Sequence, residues 1–173
     1  MDDDVLIEAC IGPTVRRVMG KSLTAKLRLT GRLNSGQRAL LMFRMLQGHS
    51  GGGTLALFRQ LSYLFSHKGV WLGFKKGLKS FGDTALGQLA DRLEKAWAEV
   101  TASGSGLDSW PEWEAGSGMS AALEPLDRDM REKMPGFVQS VAARIRPKPT
   151  STSASWTDEF APFNTVVDFG FDP

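Results

Sequence analysis

A chain of 173 residues, 42% hydrophobic and 23% charged, has the composition of a globular protein with one domain of ordinary size, and its longest apolar runs fall well short of the roughly 20 residues a membrane helix needs, which excludes a membrane-spanning role. The net charge of +2 conceals an asymmetry, because residues 1–80 carry 13 Lys and Arg against 4 Asp and Glu, while residues 81–173 carry 8 against 15. Cys10 is the only cysteine, which excludes an internal disulfide and a cysteine metal cluster and predicts a partly buried thiol.

The opening Met1-Asp2-Asp3-Asp4 is acidic where a secretory signal would be basic, and the apolar run after it is broken by Glu8 and Gly12-Pro13; a cytoplasmic protein is expected. Residues 1–33 read as a basic N-terminal arm. Asp4 would cap a short helix over Val5 to Ile11 that Gly12-Pro13 stops, and Pro13 would start another through Met19. Beyond it, Lys21, Lys26, Arg28 and Arg32 interleave with Leu23, Leu27, Leu29 and Leu33, a pattern that reads as a strand or as an arm laid on the remainder. No aromatic residue lies among these cations, so a base-stacking platform is not indicated.

Residues 34–147 hold the apolar periodicity of a helical bundle domain. Asn34 and Gln37 have the spacing of a capping box, with Leu33 placed as a hydrophobic staple. Ala39, Met42, Phe43 and Leu46 follow at i, i+3, i+4, i+7, and Leu40, Leu41 and Met45 make this the central, most buried helix. Gly48 and the run Ser50-Gly51-Gly52-Gly53 should end it. A second helix turns Leu57, Phe58, Leu61, Leu64 and Phe65 to one face. A third, after Lys68-Gly69, turns Val70, Trp71, Phe74, Leu78 and Phe81 inward and leaves Lys68, Lys75, Lys76 and Lys79 for its solvent side. Asp83 caps a fourth, whose Leu86, Leu89, Ala90, Leu93, Trp97 and Val100 make a continuous stripe, with Asp91 and Lys95 as an i,i+4 pair. The short Gly-containing turns predict antiparallel neighbours.

An internal loop spans 101–118, pinned by Trp110 and Trp113. Helix resumes near Ser120, restarts at Pro125 with Leu126 and Met130 inward, and restarts again at Pro135 with Phe137, Val138, Val141, Ala142 and Ile145 on one face, until Arg146-Pro147. Residues 148–173 form an irregular C-terminal tail that is first Pro/Ser/Thr-rich and then acidic and aromatic, with Trp156, Phe160, Phe163, Phe169 and Phe171 among Asp158, Glu159, Asp168 and Asp172. Opposite charge should steer this tail to the lysines of the third helix, in its own chain or a neighbour.

Several catalytic look-alikes fail on their context. Gly48-His49-Ser50-Gly51-Gly52 matches the nucleophile elbow of acyl hydrolases, but a helix precedes it, the only later histidine is His67, and no carboxylate lies between Ser50 and His67. Gly48 to Thr54 resembles a phosphate loop with Thr54 where lysine is required. His49 and His67 stand at no helical spacing from a carboxylate that would build a Glu-x-x-His site, so no metal and no cofactor are expected.

Ser50-Gly51-Gly52-Gly53 through Leu57-Phe58 and Tyr63-Leu64-Phe65, Leu78-Lys79-Ser80-Phe81-Gly82-Asp83 with the helix after it, and Leu123-Glu124-Pro125-Leu126-Asp127 leading to Val141-Ala142-Ala143-Arg144-Ile145 resemble a bacterial all-helical domain family of mostly uncharacterised proteins that includes a DNA-mimic protein. The resemblance covers about residues 34–147. Ser50-Gly51-Gly52-Gly53-Thr54 stands where the family has Asn-Gly-Gly-aromatic. The resemblance implies an α-helical bundle and a non-enzymatic role; imitation of DNA would need a strongly acidic surface, which a front half this basic does not supply.

The expected fold is therefore all-α, a compact helical bundle with a basic N-terminal arm and an irregular acidic-aromatic tail. The expected function is a non-enzymatic protein-interaction module acting through Lys68, Lys75, Lys76, Lys79, Trp156 and Phe160, with an unknown protein partner or a second copy of the chain. Nucleic-acid binding by the basic N-terminal half is the alternative, and acyl hydrolysis through Ser50 the third reading.

Overall fold

The computed structural model describes residues 2–67, 69–102 and 118–146, and these form seven helices and no strand. In the first, α1 (Asp3–Val18), the Asp2 side chain accepts from the Asp4 N–H at 3.0 Å. Acidic residues in its first turn and Arg16 and Arg17 in its last complement the macrodipole. Two short helices were expected here, over 5–11 and 13–19; the chain makes one, and its cap is Asp2 in place of Asp4. Pro13 sits on the solvent side, so water can reach the Ala9 carbonyl that proline leaves without a donor. The opposite side keeps Ile7, Ile11 and Gly12 buried.

The stretch that reads as a strand or an arm is also helical: α2 (Leu23–Gly31), whose cap Ser22 accepts from the Ala25 N–H at 3.4 Å. The leucine spacing fits a helix as well as a strand, since Leu23, Leu27 and Thr30 fall on one half-buried face and Thr24, Arg28 and Gly31 on an exposed one. No residue of α2 is fully buried, and it packs chiefly on α1.

The helix read as central is so: α3 (Ser35–Ser50) touches α1, α5 (Val70–Lys79), α7 (Gly118–Ile145) and α4 (Gly53–Phe65). Its capping box is complete, with the Gln37 N–H donating to Asn34 Oδ1 at 2.8 Å and the Asn34 N–H donating to Gln37 Oε1 at 3.2 Å. It runs through Gly48, which costs about 1 kcal/mol relative to alanine and no more, and breaks only at Gly51 and Gly52. In α6 (Thr84–Ala102) the expected cap is present, the Leu86 N–H donating to Asp83 Oδ1 at 3.0 Å, and the whole predicted stripe from Leu86 to Val100 is buried.

The two helix restarts expected at Pro125 and Pro135 do not occur, for α7 is one helix of 28 residues with both prolines inside. Both prolines are exposed, and around them Leu123, Leu126, Met130, Phe137, Val138, Val141 and Ala142 are buried. The apolar face is continuous, and its burial outweighs two missing backbone donors on the wet side.

The core joins all the helices except α2. Its densest part is aromatic: Phe65 stacks on Trp71 with centroids 4.1 Å apart, and Phe58 and Phe65 meet Trp97 edge-on at 5.3 and 5.5 Å. Gly77 permits α5 to lie close against α3. A Cβ there would come within 3.1 Å of Met42 Cγ and 3.4 Å of the Ala39 Cα. Cys10, expected to be partly buried, is exposed on α1, although partial desolvation pushes its thiol pKa up.

Candidate interaction surface

Between Glu8 and Asp83 the sequence contains no Asp or Glu, so α2, α3, α4 and α5 bring only positive charge and can be neutralised only by other elements. Two of the three cations of α5, Lys75 and Lys79, are neutralised by α6. Lys75 donates to Glu94 and lies 3.5 Å from Asp91, while Lys79 donates to both oxygens of Asp91 at 3.0 and 2.8 Å. The hydrogen bond to Glu94 raises the pKa of Lys75, and that from Lys79 lowers the pKa of Asp91. Asp91 thus faces across to α5, and the partner of Lys95 is Glu99, at 3.9 Å, in place of the expected Asp91. Of the lysines expected to form a binding face, Lys76 alone is exposed without an ion pair among the described residues; Lys68, Trp156 and Phe160 lie outside them, as do Trp110 and Trp113.

On α1 and α3, Glu8 lies 3.4 Å from both Arg16 and Arg44. Beyond that pair the carboxylates run out. Arg17 and Lys21 flank the start of α2, Arg28 and Arg32 lie on its outer side and at its end, and all four are exposed without an ion pair among the described residues. Lys26 points the other way, donating to the Tyr63 hydroxyl at 2.6 Å with its ammonium 4.5 Å from the ring centroid, which fastens α2 to α4. One turn before Tyr63 on α4 stands Arg59, again exposed and without a carboxylate partner among the described residues. Apolar area is interleaved with this charge: Met19 is 65% exposed and Tyr63 41%, and Leu23, Leu27 and Leu29 are only half-buried. Arg128 and Arg144 are also exposed, but they share α7 with Glu124, Asp127, Asp129 and Glu132, so that helix carries no comparable excess.

The surface around α2 thus groups five cations that have no ion pair among the described residues with exposed apolar side chains, whereas α5 offers a smaller version of the same pairing, Lys76 one turn from Leu72, which is 69% exposed. The sequence displays its residues in order, but their meaning depends on which lysines α6 takes, and that is set by contacts between helices. The signal present in the sequence is the acid-free stretch itself.

The look-alikes acquire a geometry too. Ser50 occupies the last turn of α3, where its Oγ donates to the Gln47 carbonyl at 2.9 Å, and the neighbouring His49 Nδ1 meets Gln60 Oε1, so serine and histidine point at different partners. The glycine run leads to the N-terminus of α4, where the Asp127 carboxylate accepts from the Thr54 N–H at 2.6 Å. A phosphate loop would offer that N–H to an anion; here an anion of the chain's own already holds it. An open depression lined by Asp4, Val5, Glu8 and Arg44 has its polar groups committed, Glu8 to Arg44 and Asp4 to Gln47 Nε2 at 2.6 Å. Among the described residues no three His, Cys, Asp or Glu side chains assemble as a metal site, and no helix is long and apolar enough to cross a membrane. No family model, curated protein or solved structure matches the chain.

Proposed function

We propose that this chain is a non-enzymatic interaction module whose contact surface is the basic, partly apolar face of α2 with the end of α1 and the middle of α4, and whose partner is an acidic protein. The observation that carries the reading is that Arg17, Lys21, Arg28, Arg32 and Arg59 have no carboxylate to answer them among the described residues, whereas Lys75 and Lys79 of α5 do. An unanswered positive field steers an acidic partner in diffusion, and the exposed Met19 and Tyr63 beside it supply apolar contact that holds the encounter.

A second reading, nucleic-acid binding by the same basic half, draws on the same charge. It is favoured less because Tyr63, the one exposed aromatic ring of this face, already has the Lys26 ammonium over it and so offers no free stacking platform. Contacts to a duplex backbone would not need one.

Affinity capture from the native host, using the chain and an Arg17→Gln/Arg28→Gln/Arg32→Gln variant as parallel baits, tests this. Acidic proteins should be enriched by the first bait, at least several-fold less by the second, and unaffected by nuclease. Equal recovery on both baits overturns the surface, and loss of all recovery on nuclease treatment replaces the acidic protein with nucleic acid.

A further inference from the structure

We infer that the acidic-aromatic segment 156–172 of the same chain is itself a ligand of the α2 surface, so that an external partner must displace it. The inference rests on the surface proposed above, and three observations carry it.

The first is charge. After Lys148 the sequence contains no Lys or Arg, and residues 156–172 combine four carboxylates, those of Asp158, Glu159, Asp168 and Asp172, with Trp156 and four phenylalanines. That composition is the complement of a face in which unpaired arginines alternate with exposed apolar side chains, and acid without aromatic residues would leave Met19 and Tyr63 uncovered. The second is the commitment of the alternative surface. Lys75 and Lys79 already hold Glu94 and Asp91, and replacing those carboxylates by the tail would exchange one ion pair for another with no gain in charge neutralised, which leaves α5 one cation without an ion pair among the described residues, Lys76, against five around α2.

The third is reach. Arg146, at the end of α7, pairs with Asp3, so the segment that follows starts beside the N-terminus of α1. The basic surface begins at the other end of α1, 16 residues and about 24 Å away at 1.5 Å per residue. Residues 147–155 form a nine-residue spacer that spans at most about 30 Å when extended. Trp156, the first aromatic of the segment, is therefore the first residue after α7 that needs to meet α2, and the spacer is long enough to place it there with little slack. A segment tethered so closely acts at a high effective concentration, so weak individual contacts suffice.

The test replaces Phe160 of the full chain by the photo-crosslinking analogue p-benzoylphenylalanine, with irradiation of dilute protein and mapping of the joined peptides by mass. The expected products have the mass of one chain and join position 160 to peptides within 17–32 or 59–63. Their yield should fall at least five-fold in the Arg28→Gln/Arg32→Gln variant and, with α2 untouched, in Asp158→Asn/Glu159→Gln. Products mapping to α5 or α7, products found only between two chains, absence of products, or a yield indifferent to both charge variants would each overturn the inference. Its failure is separable from that of the proposed function: capture that depends on the arginines without the crosslink removes only the internal ligand, and the crosslink with capture indifferent to the arginines removes only the external partner.

Discussion

Asp127 and Gly53 are 74 positions apart in sequence and in contact in the fold. Gly53 begins α4 at φ +80°, and a Cβ there would lie 2.9 Å from Asp127 Oδ2, the same carboxylate that accepts from the Thr54 N–H. Gly53→Ala should therefore destabilise the chain by about 1–3 kcal/mol through a strained left-handed residue and a displaced carboxylate. Asp127→Ala should cost about 1 kcal/mol as a lost helix cap. Urea unfolding midpoints check both, and the two losses should be less than additive in the double variant because one contact is involved. From the sequence, the glycine run and the Leu-x-x-Leu-Asp segment are visible as separate motifs, but nothing local says that one caps the other. The same holds for Lys75, whose carboxylate partners lie on another helix.

At the level of the helices, periodicity was legible and punctuation was not. The apolar faces of α3, α4, α5 and α6 follow the 3.6-residue spacing and face the core, with Met42, Met45, Leu64 and Val70 half-buried at its margin and the rest buried. Pro13, Pro125 and Pro135 read as boundaries because proline lacks a donor and crowds the preceding turn, yet all three lie within continuous helices on exposed positions. The local rule has no knowledge of whether the freed carbonyl meets water or protein. Pro135 should then be a residual cost that the burial of Met130, Phe137 and Val138 overrides. Pro135→Ala is expected to stabilise the chain by about 1 kcal/mol or more, less than the full interior cost because proline also restricts the unfolded state. A lowered unfolding midpoint in that variant would mean that helix α7 depends on a bend at that position. The nine residues of α2 are too few for the spacing of their leucines to separate a period of 2 from one of 3.6, which is why this element alone stayed open between strand and arm.

For the molecule as a whole, the charge asymmetry of the sequence becomes a set of cross-links between helices, and acid should loosen them. Asp129 is held below the usual carboxylate range first by its hydrogen bond from Lys133 and also by Arg92, and Asp91 by Lys79 and Lys75. A depressed folded pKa gives stability that is present above the unfolded value, near 4, and is lost as pH falls through the lower folded value. Stability should decline from about pH 5 downward. Asp129, with a side chain 17% exposed against 48% for Asp91, should account for more of the decline, because solvent screens it less. Thermal unfolding midpoints between pH 6 and pH 2 check this: Asp129→Asn should lower stability at pH 6 and flatten the acid limb, and Asp91→Asn should do the same more weakly.

The seating of α1 has a consequence for the order in which the chain is made. Ile7 and Ile11 leave the ribosome more than a hundred residues before α7 begins, and they are buried on the side of α1 that packs on α3 and α7. Half of that seat is α7, so during translation the apolar side of α1 waits, partly uncovered, for more than a hundred residues. A nascent chain stalled before α7 thus exposes apolar surface that a chaperone would bind, and α7, arriving at Asp3 with Arg146, covers it.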